Sequence, residues 1–234
     1  MQERKLMELA EAAGNIAIVG HVRPDGDCVG SCLAVCNYIT EQYPEKTVDV
    51  YLETPPAKFS YLKQFERICS DPDTGNQYDL CICLDSGDRE RLGKNVVYLN
   101  TAKTSICIDH HITNQGYAAA NFVKADASAT CEALYDFLDE EKISRDVAEC
   151  IYTGILHDTN VFKNSNTTQR TMQVAGAMMA KGINFSRIID ESFYRKTYVQ
   201  NQIMGRAVLE SVLFLEGKCI FSVVRKQDME FLRS

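Results

Sequence analysis

Long apolar runs are missing from this chain. No stretch of its 234 residues is long and apolar enough to cross a bilayer as a helix, so a helical membrane protein is not expected. Residues 1–13 form a charged amphipathic helix pattern, not a signal peptide, which makes the cytoplasm the expected location and excludes a membrane as partner. An excess of positive charge is missing too. The net charge is −7, so no general attraction to nucleic acid, and none to long duplexes, is expected. An anionic substrate must therefore find its positive charge locally. No two of the ten cysteines have the C-x-x-C spacing of a thiolate zinc site. Cys28, Cys32 and Cys36 recur every fourth residue as one stripe of a helix, and Cys81 and Cys83 share one face of a strand. Both sets are expected to be small buried side chains in a reducing compartment. No internal repeat or low-complexity tract occurs.

What is present has a globular profile. Hydrophobic residues make up 45 % and charged residues 24 %, and the length suffices to bury a core. Histidine is scarce, with four in the chain, yet His21, His110, His111 and His157 each have an aspartate nearby at the end of a predicted element. Histidines scattered for solubility would not show that pattern. Residues 104–111, TSICIDHH, state it most clearly. A β-branched alternation stops abruptly at Asp109, His110 and His111, so a buried strand delivers a carboxylate and two imidazoles to its C-terminal tip.

The same arrangement recurs along the chain. Residues 15–20, NIAIVG, are a short strand leading to His21. Pro24 and Gly26 make a turn, and 29–43 continues as a helix, so His21, Asp25 and Asp27 share one strand-to-helix turn. A helix cap or a Pro-Asp-Gly turn explains one of those aspartates, but not an imidazole and both carboxylates together. Residues 47–52 are a second strand, 54–58 a proline loop and 59–69 a short helix. Residues 78–84, YDLCICL, form a strand apolar on both faces, as at the centre of a parallel sheet, and it ends at Asp85. A small edge element is predicted at 96–99. Helices follow at 129–141, at 144–156 with Ser144 as cap, and at 168–181, closed by Gly182. His157 and Asp158 come directly after the second of these. The alternation predicts an α/β fold: a mostly parallel sheet flanked by helices. In such sheets ligands gather outside the carboxyl ends of the strands, where His21, Asp25, Asp27, Asp85, Asp109, His110 and His111 all fall.

The motifs HVRPDGDCVGS, LDSGD, IDHH and TGILHDT resemble, in order, the four motifs of the DHH phosphoesterase family, over residues 15 to about 170. Each motif is short and unspecific alone; the four together at element ends are specific. The DTNVFKNSNTT stretch is similar in particular to the NrnA-type oligoribonuclease and pAp phosphatase subgroup. The resemblance implies a catalytic domain over 1–185 and a connecting helical segment over 186–215, with the helix itself at 193–213. It further implies that 216–234 holds the first strand, 218–224, of a second nucleotide-binding domain. The Gly-Gly-Gly-His motif of that domain does not occur, so a truncated or absent second lobe is expected, and with it poor handling of short RNA and pAp.

The resemblance also implies roles. One metal would be held by His21, Asp25 and Asp85, and a second by Asp27, Asp85, His110 and Asp158, with Asp85 bridging. His111 would face the substrate phosphate, and Asp109 would orient the imidazoles from behind. Carboxylates so crowded need cations beside them, and two histidines with several oxygens suit two divalent ions, manganese above all. No cysteine stands at a matching ligand position, so a structural thiolate-zinc site is not expected. Arg23 and Lys163 are candidates for phosphate contact beside their reading as solvated side chains. Asn166 and Thr167 could bind phosphate or cap the next helix, and Phe162 is a possible stacking platform. The implied activity is manganese-dependent hydrolysis of phosphodiester or phosphomonoester bonds in short oligoribonucleotides and pAp-like nucleotides, by a two-metal mechanism. A phosphodiesterase acting on cyclic dinucleotides or pApA is one alternative, and a non-enzymatic metal- or nucleotide-binding lobe is another. Nothing in the sequence fixes the oligomeric state.

Overall fold

Every strand of the sheet that carries the predicted motifs runs parallel to its neighbours. The computed structural model of the protein describes residues 4–72 and 75–226, in two units, Met1–Glu191 and Ser192–Ser234. The first unit contains α1 (Arg4–Ala12), β1 (Asn15–Val19), α2 (Gly26–Gln42), β2 (Thr47–Tyr51), β3 (Ile68–Cys69), β4 (Leu80–Leu84) and α3 (Val96–Thr101). It continues with β5 (Thr104–Asp109), β6 (Ala120–Val123), α4 (Thr130–Tyr135), α5 (Arg145–Asp158), α6 (Gln169–Ala180) and α7 (Phe185–Ile189). Residues 1–3 of the predicted first helix lie outside the described residues. The sheet order is β3-β2-β1-β4-β5-β6, the α/β architecture that the strand–helix alternation predicts.

Strand β4 shows why the sheet is central. All five of its residues are buried, and a strand buried on both faces needs no polar alternation. On one face Cys81 and Cys83 join Ala17, Val19 and Cys107 beneath Tyr51, Tyr78, Leu92 and Tyr98. On the other lie Leu80, Ile82 and Leu84, which are likewise buried. The cysteine stripe of α2 is buried as well, and no disulfide joins any of the ten cysteines. Helices α2 and α5 pack against each other at glycines. A Cβ on Gly30 of α2 would lie 2.6 Å from the Cys150 carbonyl oxygen of α5, and one on Gly154 of α5 would lie 2.5 Å from Asp27 Oδ1 of α2.

The order of the strands fixes where a ligand can sit. From β1 the chain builds outward to β2 and β3; from β4 it builds the other way, to β5 and β6. The connections that follow the paired strands β1 and β4 therefore lead away in opposite directions at a topological switch point, leaving a crevice between them.

Several elements differ from expectation. Helix α2 begins at Gly26, ahead of the predicted start, because Asp25 caps it: Oδ1 accepts from the N–H groups of Asp27 and Cys28 at 3.1 and 3.2 Å. The helix predicted at 59–69 is two short 3-10 turns and β3, interrupted at Gln64 with φ of 64°. The edge element predicted at 96–99 is helix α3. Its Tyr98 ring stacks on Tyr51 at 4.1 Å, and that burial outweighs the β-preference of Val96 and Val97. Helix α4 stops at Tyr135, well short of residue 141, and β6 was not predicted.

The second unit contains α8 (Tyr198–Leu209), then β7 (Val212–Phe214) paired antiparallel with β8 (Cys219–Phe221). The predicted helix over 193–213 thus shrinks to α8, which opens on a capping box between Thr197 and Gln200. The predicted strand at 218–224 is the second arm of a hairpin. Its turn runs through Leu215, Glu216 and Gly217 at φ of 50°, 56° and 80°. Residues 227–234 of the predicted terminal segment lie outside the described residues. Among the described residues no helix is long and apolar enough to cross a membrane.

Candidate metal centre

Five elements deliver polar side chains to the crevice. β1 ends just before His21, whose Nδ1–H donates to its neighbour's carbonyl, Val22 O, at 2.8 Å. That bond turns Nε2 inward with its lone pair available. β4 ends just before Asp85, held at φ of 55°, a left-handed conformation that costs an L-residue roughly 1–2 kcal/mol. β5 ends in Asp109, followed by His110 and His111. Asp25 and Asp27 stand at the start of α2, and Asp158 is the last residue of α5.

Asp85 stands between two groups. Its Oδ2 is 3.4 Å from His21 Nε2, and its Oδ1 is 3.7 Å from His110 Nε2. On the first side His21 Nε2 is also 3.8 Å from Asp25 Oδ1. On the second, His110 Nε2 is 3.1 Å from Asp158 Oδ2 and 3.9 Å from Asp27 Oδ2. Most of these gaps are too long for hydrogen bonds. Two donor atoms that share one cation, each ~2.1 Å from it, lie ~3 to ~4.2 Å apart according to the angle between them. The spacing and the donor set, carboxylates with imidazoles, fit divalent cations. Among the described residues three overlapping groups have ligand atoms within 4.8 Å of one another: His21, Cys28 and Asp85; Asp85, His110 and His111; Asp27, His110 and Asp158.

The electrostatics point the same way. Burial, then the nearby Asp85 and Asp158 carboxylates, push Asp27 well above the ordinary carboxylate range. They do so although its two oxygens accept from the N–H groups of Thr130 and Cys131 at 2.6 and 2.9 Å. Burial also raises Asp158, more than His110 lowers it. Burial opposes a charge on His110, yet Asp158, with Asp27 and Asp85 behind it, holds that imidazole up to about 10. His21 is likewise raised, against burial, by Asp25 and Asp85. Asp25 is pulled down to about 2, against burial, by His21 and the helix N–H groups. On its own, then, the cluster traps protons to balance its carboxylates. A cation would displace them.

The other predicted residues are placed as follows. Asp109 Oδ1 accepts from His111 Nδ1 at 2.7 Å, whereas His110 Nδ1 lies 3.3 Å from the Ala127 carbonyl oxygen. Asp109 therefore orients one imidazole, not both. Arg23 is exposed with φ of 53°; its backbone N–H donates to Glu53, and its guanidinium makes no hydrogen bond or ion pair among the described residues. Lys163 is exposed. Asn166 does not cap a helix: its Nδ2 donates to the carbonyls of Ser128 and Asp158 at 3.1 and 3.2 Å. Asn164 Nδ2 adds a second bond to Asp158 O at 3.2 Å. Thr168, rather than Thr167, caps α6. Phe162 meets Tyr152 edge-on at 6.0 Å. It closes an unusual run in which Asn160, Val161 and Phe162 all have positive φ, at 49°, 60° and 61°. His157 fills the space above Gly26, where a Cβ would lie 2.2 Å from its ring, and packs edge-on against Phe59 at 4.9 Å.

Two basic residues near the crevice escaped the sequence reading. Arg91, in a 3-10 turn after β4, brings Nη1 to 3.5 Å from His111 Nε2. Lys58 is close enough that burial, then its charge, lowers His157 to about 4, while Asp25 partly offsets the lowering of Lys58 itself. Position 91 follows the LDSGD motif closely, and a search for a local positive charge near each aspartate would have found it. No sequence signal marks Lys58.

Several known proteins have related sequences. The chain is 28% identical over 215 residues to the Bacillus subtilis bifunctional oligoribonuclease and PAP phosphatase NrnA, covering 90% of this chain and 66% of that protein. It is 31% identical over 187 residues to the Streptococcus mutans probable bifunctional oligoribonuclease and PAP phosphatase NrnA, covering 79% and 58%. The chain thus spans less than two thirds of the length of these curated relatives. A crystal structure of an exopolyphosphatase-related protein from Bacteroides fragilis shares the fold, with a TM-score of 0.89 at 22% identity over 99% of this chain and 72% of that one. The model of the DHH family, N-terminal domain, matches residues 15–155, more than half of the sequence and all the crevice residues except Asp158, and the chain belongs to the DHH family.

Proposed function

We propose that the chain is a phosphoesterase that hydrolyses short oligoribonucleotides and pAp-like nucleotides with two divalent cations, manganese being best suited to the donor set. The carrying observation is the Asp85 carboxylate, whose Oδ2 faces His21 at 3.4 Å and whose Oδ1 faces His110 at 3.7 Å. One cation would be held by His21, Asp25 and Asp85, the other by Asp27, Asp85, His110 and Asp158. When bound, such a pair supplies the charge that polarises a phosphoryl oxygen and lowers the pKa of water.

The remaining steps belong to side chains of this protein. His111, held from behind by Asp109, presents Nε2 to the crevice and donates to a phosphate oxygen. Arg91 lies beside that nitrogen and gives the phosphate a second, permanently charged donor. Lys58, near Asp25 and His157, adds positive charge on the side of the first cation. These local charges answer the net charge of −7. The substrate class is supported by the names of the relatives, and the cytoplasm is the compartment where such short RNAs and nucleotides arise. In this reading residues 1–185 are the catalytic domain and 186–215 the connector. Residues 216–234 then begin the lobe that grips the nucleotide.

Asp85→Asn tests the reading. Metal content per chain is measured beside hydrolysis of pAp, pApA, cyclic di-AMP, a short RNA, pyrophosphate and a small activated phosphodiester in manganese. The wild type is expected to bind two ions and to cleave the small activated phosphodiester, with pAp and the short RNA cleaved more weakly; the variant is expected to lose both ions and all activity. A variant that keeps two ions, or a wild type active on pyrophosphate alone, overturns it.

A further inference from the structure

The first group of ligand atoms contains a residue that the family resemblance does not assign. Cys28 lies in the first turn of α2, and its sulfur, His21 Nε2 or Nδ1, and an Asp85 oxygen all fall within 4.8 Å of one another. His21 Nδ1 is spent on the Val22 carbonyl, so Nε2 is the nitrogen that faces the sulfur's side of the crevice. All three residues are buried, Cys28 completely. The sulfur reaches this point because position 20 has no side chain. A Cβ on Gly20 would lie 2.4 Å from Cys28 Sγ and 2.6 Å from Leu52 Cδ2. Glycine at the tip of β1 thus leaves open the space through which the thiol meets His21.

Asp25, by contrast, is a peripheral member of the same group. Its side chain is 58% exposed, its Oδ1 stands 3.8 Å from His21 Nε2, and that oxygen already accepts from two amides at the start of α2. The buried side of the first position is therefore His21, Cys28 and Asp85, with Asp25 on the solvent side.

Resting on the reading of this cluster as a metal centre, we propose that Cys28 is a sulfur ligand of the first cation, alongside His21 and Asp85. Binding forms one metal–sulfur bond and releases the thiol proton to water. The two positions then differ in kind. The one built on Asp27, His110 and Asp158 offers oxygen and nitrogen alone and suits manganese, whereas the one with sulfur favours a softer ion such as zinc, cobalt(II) or ferrous iron. Cys32, one turn further along α2, is close to Cys28 but absent from the ligand group, so a single sulfur is expected.

Cobalt(II) titration of the metal-free chain separates this proposal from the reading on which it rests. Visible d–d bands report cobalt in the cluster at all, and a near-ultraviolet charge-transfer band reports a sulfur ligand. The wild type is expected to show both. Cys28→Ser and Cys28→Ala are expected to keep the d–d bands and lose the charge-transfer band, with unchanged far-ultraviolet circular dichroism, while Cys32→Ala keeps both. Wild-type d–d bands without the charge-transfer band overturn the sulfur ligand and leave the metal centre standing. No d–d bands at all overturn both. A charge-transfer band that survives in either Cys28 variant, or disappears in Cys32→Ala, assigns the sulfur elsewhere and also overturns the proposal.

Discussion

Asp109 and His111 form a tight side-chain pair in the crevice, with Asp109 Oδ1 2.7 Å from His111 Nδ1. The carboxylate is fully buried, and its other oxygen accepts from Asn114 Nδ2 at 2.7 Å, so it cannot swing away. The bond to Asp109 raises the pKa of His111 against the opposing effect of burial, which favours the protonated imidazole and fixes the ring with Nε2 on the Arg91 side. His111→Ala is therefore expected to keep its metals while turnover falls by about 10²–10³-fold, the usual cost of losing one donor to developing charge. Asp109→Asn removes the cause of the raised pKa. Because the protonated ring is the active form, the basic limb of the kcat profile is expected to move to lower pH. Metal analysis and kcat against pH check both variants. Metal loss in His111→Ala as complete as in Asp85→Asn refutes the role.

The sequence made this half of the site legible because β1, β4 and β5 are short apolar runs ending in polar residues, and a parallel sheet puts all such tips on one edge. The helix-borne members followed from the same logic: Asp27 at the start of α2 and Asp158 at the end of α5. What stayed hidden depended on packing. Tyr98 turned a β-branched tetrapeptide into helix α3 by stacking on Tyr51. Strand β6 has alanine, asparagine and a single buried residue, Phe122, so no alternation announced it. Arg91 lies in a 3-10 turn, where side-chain direction follows no simple period. Cys28 matched its expectation of burial, but its closeness to His21 depends on the empty space at Gly20, a feature of the folded chain that no spacing in the sequence marks.

Gly154 links the helix packing to the second group of ligands. A Cβ there would lie 2.3 Å from Cys131 Sγ and 2.5 Å from Asp27 Oδ1. Asp27 is held on both oxygens by the first turn of α4, so it cannot yield without breaking those bonds. Gly154→Ala is expected to destabilise the fold by about 1–3 kcal/mol through overpacking and to weaken metal binding. Gly176, in α6, has nothing within 4 Å of its would-be Cβ. Gly176→Ala is expected to stabilise by about 0.4–1 kcal/mol by restricting the unfolded chain. Urea unfolding of both variants measures the contrast, and equal effects from the two would refute the packing account.

Asp79 lies at the opposite edge of the sheet from the crevice, just before β4. Its Oδ1 pairs with Lys103 Nζ at 2.7 Å, and its Oδ2 accepts from the N–H groups of Gly14 and Asn15 at 2.8 and 3.1 Å. Lys103 first, then those amides, lower its pKa from 3.8 to about 2. A lowered pKa in the folded state means a contribution to stability that is complete above the unfolded value and lost as pH falls through the folded one. Asp79→Asn is therefore expected to lower Tm at neutral pH, with the deficit closing between pH 3.8 and about 2, and to leave kcat unchanged. Thermal melts across that range check it; a deficit that does not change with pH would assign the effect to lost hydrogen-bond geometry instead.

Arg91 ties the two loops of the crevice together and gives the sharpest kinetic expectation. Its carbonyl oxygen accepts from the Val22 N–H at 2.7 Å, beside His21, and its own N–H donates to Asp88 Oδ1 at 2.8 Å. The backbone of Arg91 thus braces the loop after β1 against the loop after β4, while the guanidinium reaches His111. Removing the side chain leaves the brace intact, so folding and metal content are expected to stay at wild-type levels. Bonds from a charged donor contribute about 1.5–3 kcal/mol each, which corresponds to roughly 10–150-fold in kcat/KM. Arg91→Ala is expected to lose that much on anionic substrates, and to lose more on pAp, with its extra phosphate, than on a small neutral-tailed diester. Arg91→Lys is expected to recover part of the loss, because a point charge replaces the charge but not the two-pronged geometry. Raising the salt concentration should shrink the gap between wild type and Arg91→Ala, since a half-exposed cation is screened. Steady-state kinetics on both substrates at two ionic strengths decide the matter. A loss confined to kcat, independent of substrate charge and salt, would show that Arg91 acts by steadying His111 rather than by holding phosphate.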